Sequence, residues 1–217
     1  MKICVIVPII SRELIKEEEI SKRVENYVGP DTKVDFVFLD YGPASIESRY
    51  DEAFAAPFIV KKAEWAEKNG YDAIVISCMM DPAVRAVKEA VDIPVVGAGE
   101  AARQIAPLLG DKVAVIYPRG ITVLELRSDP EKTYQELLKN AKKALEDGAQ
   151  VLILGCTGLT GMAKRLQKEV NVPVLEGEGL ALALAELFSR VGLTQSRLAY
   201  RKPPRKKRVL PGFAETE

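Results

Sequence analysis

The chain repeats itself, and that repeat limits its fold more than any other feature. Lys2-Ile-Cys-Val-Ile-Val-Pro8 is copied by Lys112-Val-Ala-Val-Ile-Tyr-Pro118. Ala63, Ala66, Gly70 and Cys78 recur as Ala141, Ala144, Gly148 and Cys156, each 78 positions later, and Ile93-Pro94-Val95-Val96 recurs one residue further along as Val172-Pro173-Val174-Leu175. The first copy holds an extra strand and loop, roughly 29–56. A unit that occurs twice and alternates apolar runs with helical patterns predicts two similar α/β lobes with parallel sheets. The expected fold is therefore α/β, with two pseudo-symmetric Rossmann-like lobes and a cleft between them. One lobe takes residues 1–97 plus 178–217 and carries Cys78; the other takes 98–177 and carries Cys156.

Within each copy the same elements follow in order. Ile3–Val7, Val34–Leu39, Ala73–Ser77, Ile93–Val96, Val113–Tyr117, Val151–Leu154 and Val172–Leu175 read as strands. Apolar runs without alternation suit strands covered on both faces. Ser11 caps a helix from about Arg12 to Val28, with Glu17, Glu18, Glu19 and Lys22 on its charged face. Pro57 opens a second helix at its first position, and Pro82 a third that runs to about Val91. Further helices are expected over Gly99–Leu109, from the capping signal Ser128-Asp-Pro-Glu131 to Asp147, from about Thr160 to Glu169, and over Leu180–Arg190. The last helix returns to the first lobe, and the basic, Pro-rich stretch from Arg201 to Glu217 reads as an extended arm.

The run Val151-Leu-Ile-Leu-Gly-Cys-Thr-Gly-Leu159 delivers Cys156 to the carboxyl end of a buried strand. Ala73-Ile-Val-Ile-Ser-Cys-Met-Met-Asp-Pro82 does the same for Cys78. Ligands of open parallel sheets bind beyond such strand ends. A pseudo-dyad would bring the two cysteines to one site from opposite sides. Two facing thiols can invert a carbon acid next to a carbonyl: a thiolate removes the proton on one face, and a thiol returns one on the other. Both cysteines precede a predicted helix start, where a lowered thiol pKa is expected. Backbone amides there and the Thr157 hydroxyl would hold the developing enolate.

Composition narrows the alternatives. The chain has no histidine, so any general base is Cys, Asp, Glu, Lys or Tyr. Its three cysteines form no Cys-x-x-Cys pair, which argues against a disulfide framework and a zinc site, and the expected chemistry needs no cofactor and no metal. Thirty-one basic residues balance 31 acidic ones, so no global field recruits nucleic acid or an anionic membrane. No stretch approaches a membrane-spanning length. The apolar start Ile3–Ile10 is too short for a secretory leader with its flanks and reads as the first strand of a cytoplasmic protein.

Other residues near strand ends have two readings each. Cys4, inside the first strand, reads as core packing. Asp81 caps the helix opened by Pro82, or tunes Cys78. Glu100, Glu176 and Glu178 are solvated helix-start carboxylates, or orient a cysteine or bind a cation. Met79 and Met80 pack in the core, or line a hydrophobic substrate pocket. Arg205-Lys-Lys-Arg208 is a solvated tail, or meets an acidic partner.

Gly42-Pro-Ala-Ser-Ile-Glu-Ser48, Tyr50-Asp-Glu-Ala53, Asp81-Pro82 after Cys78, Pro94-Val-Val-Gly97, Leu154-Gly-Cys-Thr-Gly158 and Gly192-Leu-Thr-Gln-Ser196 together resemble the hydantoin racemases of the aspartate/glutamate racemase superfamily. The resemblance covers most of the chain. It implies cofactor-independent two-cysteine racemisation of a small molecule, with Cys78 and Cys156 at the catalytic positions, and often a homo-oligomer. It also implies that Pro8, Ile46, Met79, Met80, Tyr117, Pro118, Arg119, Thr157 and Gly158 border the substrate. Where the family usually has an Asn-Pro-Asn-Thr type stretch, this chain has Val7-Pro-Ile-Ile-Ser11, and Tyr117-Pro-Arg119 replaces paired threonines. Arg119 would pair with a carboxylate and favour a free acidic amino acid over a hydantoin, or it lies on the surface. A decarboxylase or cis–trans isomerase of the same superfamily, and a non-catalytic small-molecule binding protein, are the alternatives.

Overall fold

The computed structural model describes residues 1–15 and 23–209. Strands β1 (Lys2–Val7), β2 (Lys33–Phe38), β3 (Ala73–Ile76) and β4 (Val95–Gly97) form a four-stranded sheet in the order β2-β1-β3-β4. Strands β5 (Val113–Ile116), β6 (Val151–Leu154) and β7 (Val174–Leu175) form a three-stranded sheet in the order β5-β6-β7. Every pairing is parallel. The repeat holds at the level of register. Ile6 pairs with Ile76 as Ile116 pairs with Leu154, and Ile74 pairs with Val95 as Leu152 pairs with Val174.

Among the described residues six α-helices cover these sheets: α1 (Arg49–Lys68), α2 (Val84–Ala90), α3 (Ala98–Ile105), α4 (Pro130–Glu146), α5 (Ala163–Val170) and α6 (Gly177–Arg190). On the first sheet, Cys4, Ile6, Ile74 and Ile76 meet the α1 stripe Ala55, Ile59, Ala63 and Ala66. The opposite face, Ile3, Val5, Ala73 and Val75, meets Ala181, Leu182 and Ala185 of α6. On the second sheet Leu152 and Leu154 pack on Leu137 and Ala141 of α4 and Leu166 of α5. Its other face, Val151 and Ile153, meets Ala98 and Ala102 of α3. Ala101 of the same helix joins the first sheet's cluster. Alanine on both sides lets α3 lie between the two sheets, and each fully buried Ile or Leu around it stabilises the fold by about 1.5–3 kcal/mol.

Several helix starts differ from expectation. Pro57 lies inside α1 rather than at its start: Ser48 caps the helix by accepting a hydrogen bond from the Asp51 amide. The buried stripe runs unbroken from Ala55 to Ile59 across the proline, so packing outweighs the lost backbone bond. Pro82 does not begin α2. Asp81 and Ala83 sit at φ 53° and 56°, and this left-handed turn delays the helix to Val84. The cap of α4 is Asp129, one residue past Ser128, with Pro130 at the first helical position. After Cys156 comes a single 3-10 turn, Thr157–Leu159, and α5 begins only at Ala163. The first expected helix shows a 3-10 turn at Arg12–Leu14; its face at Glu17, Glu18, Glu19 and Lys22 lies outside the described residues, as does the arm beyond 209. No described helix is long and apolar enough to cross a membrane.

Candidate active site

Both cysteines stand two residues past the carboxyl ends of central strands, β3 and β6. Two short turns aim them. The Cys78 amide donates to the Ile76 carbonyl at 3.0 Å, and the Asp81 amide donates to the Cys78 carbonyl at 3.0 Å. Gly155 brings the second loop close to β5, because a Cβ there would lie 3.0 Å from the Ile116 carbonyl oxygen. The Gly158 amide donates to Cys156 Sγ at 3.3 Å. The loops touch each other, since the Thr157 hydroxyl donates to the Ser77 carbonyl at 3.2 Å.

Cys78 and Cys156 line one cavity of about 60 Å³. Pro8, Ile46, Thr157 and Gly158 line it too. The remaining expected positions lie elsewhere. Met79 is buried on the far side, against Ala98, Val151 and Leu175. Met80 packs on the first sheet's core. The Tyr117 hydroxyl turns to the Ile121 carbonyl at 3.2 Å. Pro118 is buried outside the cavity lining, and Arg119 is exposed beyond it. Alternation past a strand end explains the methionines: with Cys78 facing the cavity, its neighbour Met79 faces the opposite sheet.

Several lining residues carried no motif. Val7, Ile9, Leu14, Ile15, Val123 and Leu126 give the cavity apolar walls, and Arg23, Ser77 and Arg127 add polar groups. Val7 and Ile9 lie in the stretch where the chain departs from the family pattern, and Ser77 adjoins Cys78; the others had no local signal. Arg23 reaches the site through contacts with residues more than 130 positions away, which no periodicity reports.

The carboxylates resolve differently from their solvated reading. Glu178 is fully buried and ion-paired with Arg23, 2.7 Å away. Glu176 is buried and accepts from the Gly161 and Ala163 amides at 2.7 and 2.9 Å. Glu100 is half-buried and ion-paired with Lys88. Asp81 does not cap α2. It accepts from the Gly99 amide at 2.8 Å and pairs with Arg103, which pins the Cys78 loop to α3.

The thiols are not depressed as helix starts would make them. Burial pushes Cys78 up to about 12, against a smaller pull from the Met80 amide. Burial pushes Cys156 up to about 11, opposed by the Gly158 amide and the Arg23 charge. The physical reason is that α2 starts six residues beyond Cys78 and only a three-residue turn follows Cys156, so no long helix aims its dipole at either sulfur. Cys4, walled into the core, is pushed up to about 12 by burial. Among the described residues no group of three or more Cys, Asp or Glu is placed to hold a metal ion.

Known proteins share this frame. The model of the Asp/Glu/Hydantoin racemase family matches residues 17–120 and 117–185. A hydantoin racemase of Pseudomonas sp. (strain NS671) is 33% identical over 95% of this chain and 93% of its own. One of Paenarthrobacter aurescens is 32% identical over 95% and 99%. The solved structure of an allantoin racemase from Klebsiella pneumoniae superposes with a TM-score of 0.88 at 26% identity, covering 97% of each chain. The chain belongs to the Asp/Glu/hydantoin racemase family, and with it to the racemases among the isomerases.

Proposed function

We propose that this protein inverts a carbon acid next to a carbonyl, without a cofactor, with Cys78 and Cys156 as the acid–base pair. One observation carries the proposal: a cysteine from each of the two sheets lines the same small cavity. In the working state one thiol has lost its proton. We take Cys156 as the first base, because the Arg23 guanidinium and the Gly158 amide both oppose the burial that raises its pKa. Its sulfur takes the proton from the ring carbon, and the C–H electron pair moves into the adjacent carbonyl to form an enolate. The enolate carbon then takes the proton of the Cys78 thiol on the opposite face, leaving a thiolate there. The other enantiomer runs the same steps with the roles exchanged.

The walls support one substrate class. Apolar side chains dominate the cavity, and the Arg23 charge is already met by Glu178. Arg119, the residue that would have called for a free acidic amino acid, lies outside. A five-membered cyclic ureide fits these walls better than aspartate or glutamate, in keeping with relatives named as hydantoin and allantoin racemases. The same proposal assigns residues 1–97 with 178–217 to one lobe and 98–177 to the other. It also includes a cytoplasmic location and a homo-oligomer. Sedimentation tests the assembly.

The experiment is inversion of one enantiomer of a 5-substituted hydantoin in deuterated water. Wild-type protein is expected to racemise it with deuterium at the ring carbon. Cys78→Ala and Cys156→Ala are each expected to abolish inversion, while one-sided exchange can persist. Full inversion by either variant, or no exchange in the wild type across hydantoins and amino acids, would overturn the proposal.

A further inference from the structure

Behind the two thiols lies a closed ring of polar contacts that the proton transfers do not themselves use. Glu178, in the first turn of α6, is fully buried, and Arg23 is only 6% exposed. Arg23 Nε and Nη2 donate to Glu178 Oε1 at 2.9 and 2.7 Å. Arg23 Nη2 also donates to the Thr157 carbonyl at 3.2 Å. The other carboxylate oxygen of Glu178 accepts from the Ser77 hydroxyl. The Thr157 hydroxyl closes the ring by donating to the Ser77 carbonyl. Ser77 immediately precedes Cys78, and Thr157 immediately follows Cys156. One ion pair therefore holds the backbone beside both thiols, and the two loops come from different sheets.

Stability is a weak reason for such a pair. Replacing a buried ion pair by apolar side chains of similar volume is often neutral or stabilising, because both charges must leave water. Contact with both thiol loops is what this pair has and an apolar substitute would lack. We propose that Arg23 and Glu178 are positioning residues that hold the Cys78 and Cys156 loops in register and place one guanidinium charge on the Cys156 side. The proposal rests on the two-thiol reading above.

The charges around Cys156 show how the pair acts. Arg23, Glu47, Glu178, Tyr117 and the Cys78 thiol all interact with its sulfur, and Arg127 lines the same cavity. Beyond burial itself, Arg23 draws the Cys156 pKa down, while Glu47 and Glu178 push it up. Arg23 is the thiolate's counter-charge, and Glu178 both fixes that guanidinium and tempers it. The fork is needed for this. A guanidinium reaches Glu178 and the Thr157 carbonyl together, whereas an ammonium is a single point charge.

The test is alkylation of the full-length protein by iodoacetamide at pH 8.5, resolved by peptide mass, with Cys78 as the reference within each molecule. In Glu178→Gln, Cys156 is expected to react about tenfold faster relative to Cys78, and in Arg23→Gln about tenfold slower, one pKa unit each way. Arg23→Lys keeps the charge and is expected to keep the alkylation ratio, yet to lose inversion relative to one-sided exchange. Alkylation ratios in Glu178→Gln and Arg23→Gln that both match wild type would overturn the proposal. Circular-dichroism melts identify which variants fold. If neither of those two folds, Ser77→Ala decides, since it removes only the hydroxyl that reaches Glu178: inversion lost with exchange retained supports the role, and unchanged inversion overturns it. Alkylation needs no substrate, so the positioning role can fail while racemisation stands, and racemisation can fail while the thiol ratios shift.

Discussion

Raising the pH should switch this site on steeply, and the size of the effect follows from how deeply its sulfurs are buried. Burial holds Cys156 at about 11, against 9.0 for an ordinary thiol. At pH 8 about one Cys156 in a thousand is then a thiolate, compared with about one free thiol in ten. Cys156 should therefore alkylate roughly 100-fold more slowly than a cysteine in a short peptide at the same pH. Cys78, at about 12, should be slower still. With a thiolate as the proposed base, kcat/KM should climb about tenfold per pH unit between pH 7 and 10. Iodoacetamide labelling resolved by peptide mass, run beside a polarimetric assay of a 5-substituted hydantoin, measures both effects. Cys156 labelling as fast as the peptide at pH 8, or a kcat/KM that is flat from pH 6 to 9, would refute the reasoning. Folding stability responds with a definite sign. A thiol whose folded pKa is raised stabilises the protein below its unfolded value near 9.0 and loses that contribution as pH rises through 11 to 12. Unfolding should thus become easier on the alkaline side, with buried Cys4 adding to the same trend.

Two substitutions test the scaffold that aims the thiols. Ala83 holds φ 56° at the turn before α2, so Ala83→Gly should raise stability by up to about 1 kcal/mol, read as a melting shift of about 2–4 °C. A lower melting temperature would show that this turn carries no strain. Gly179→Ala places a Cβ against the Tyr27 ring and should cost about 1–3 kcal/mol in a chemical denaturation series. An unchanged midpoint there would mean that the segment at Tyr27 yields freely.

Much of the frame was legible in the residues. Strand identity and parallel pairing follow from apolar runs and from the repeat, both local patterns in the chain. Ile6–Ile76 and Ile116–Leu154 pair in equivalent register because corresponding strands of the two copies carry similar apolar runs, although the first copy has an extra strand and loop between them. The repeat also put Cys78 and Cys156 at matching strand ends. Helix starts were less legible. Proline at 57 and at 82 signals a first helical position, but a continuous buried stripe in α1 and a left-handed turn before α2 overrode the signal.

The sequence by itself therefore determined the two-sheet plan and the two sulfurs, since these depend on side-chain pattern over a few neighbouring residues. Only the tertiary structure decided what surrounds the sulfurs. Glu178 meets Arg23 across 155 positions and Ser77 across 101, so neither contact leaves a mark in local sequence. Asp81 left its expected cap for the Gly99 amide and Arg103 because the turn at Ala83 moved the helix away. The thiols' high pKa has the same origin: desolvation is set by every chain segment that closes over a group, and a sequence motif records only one of them.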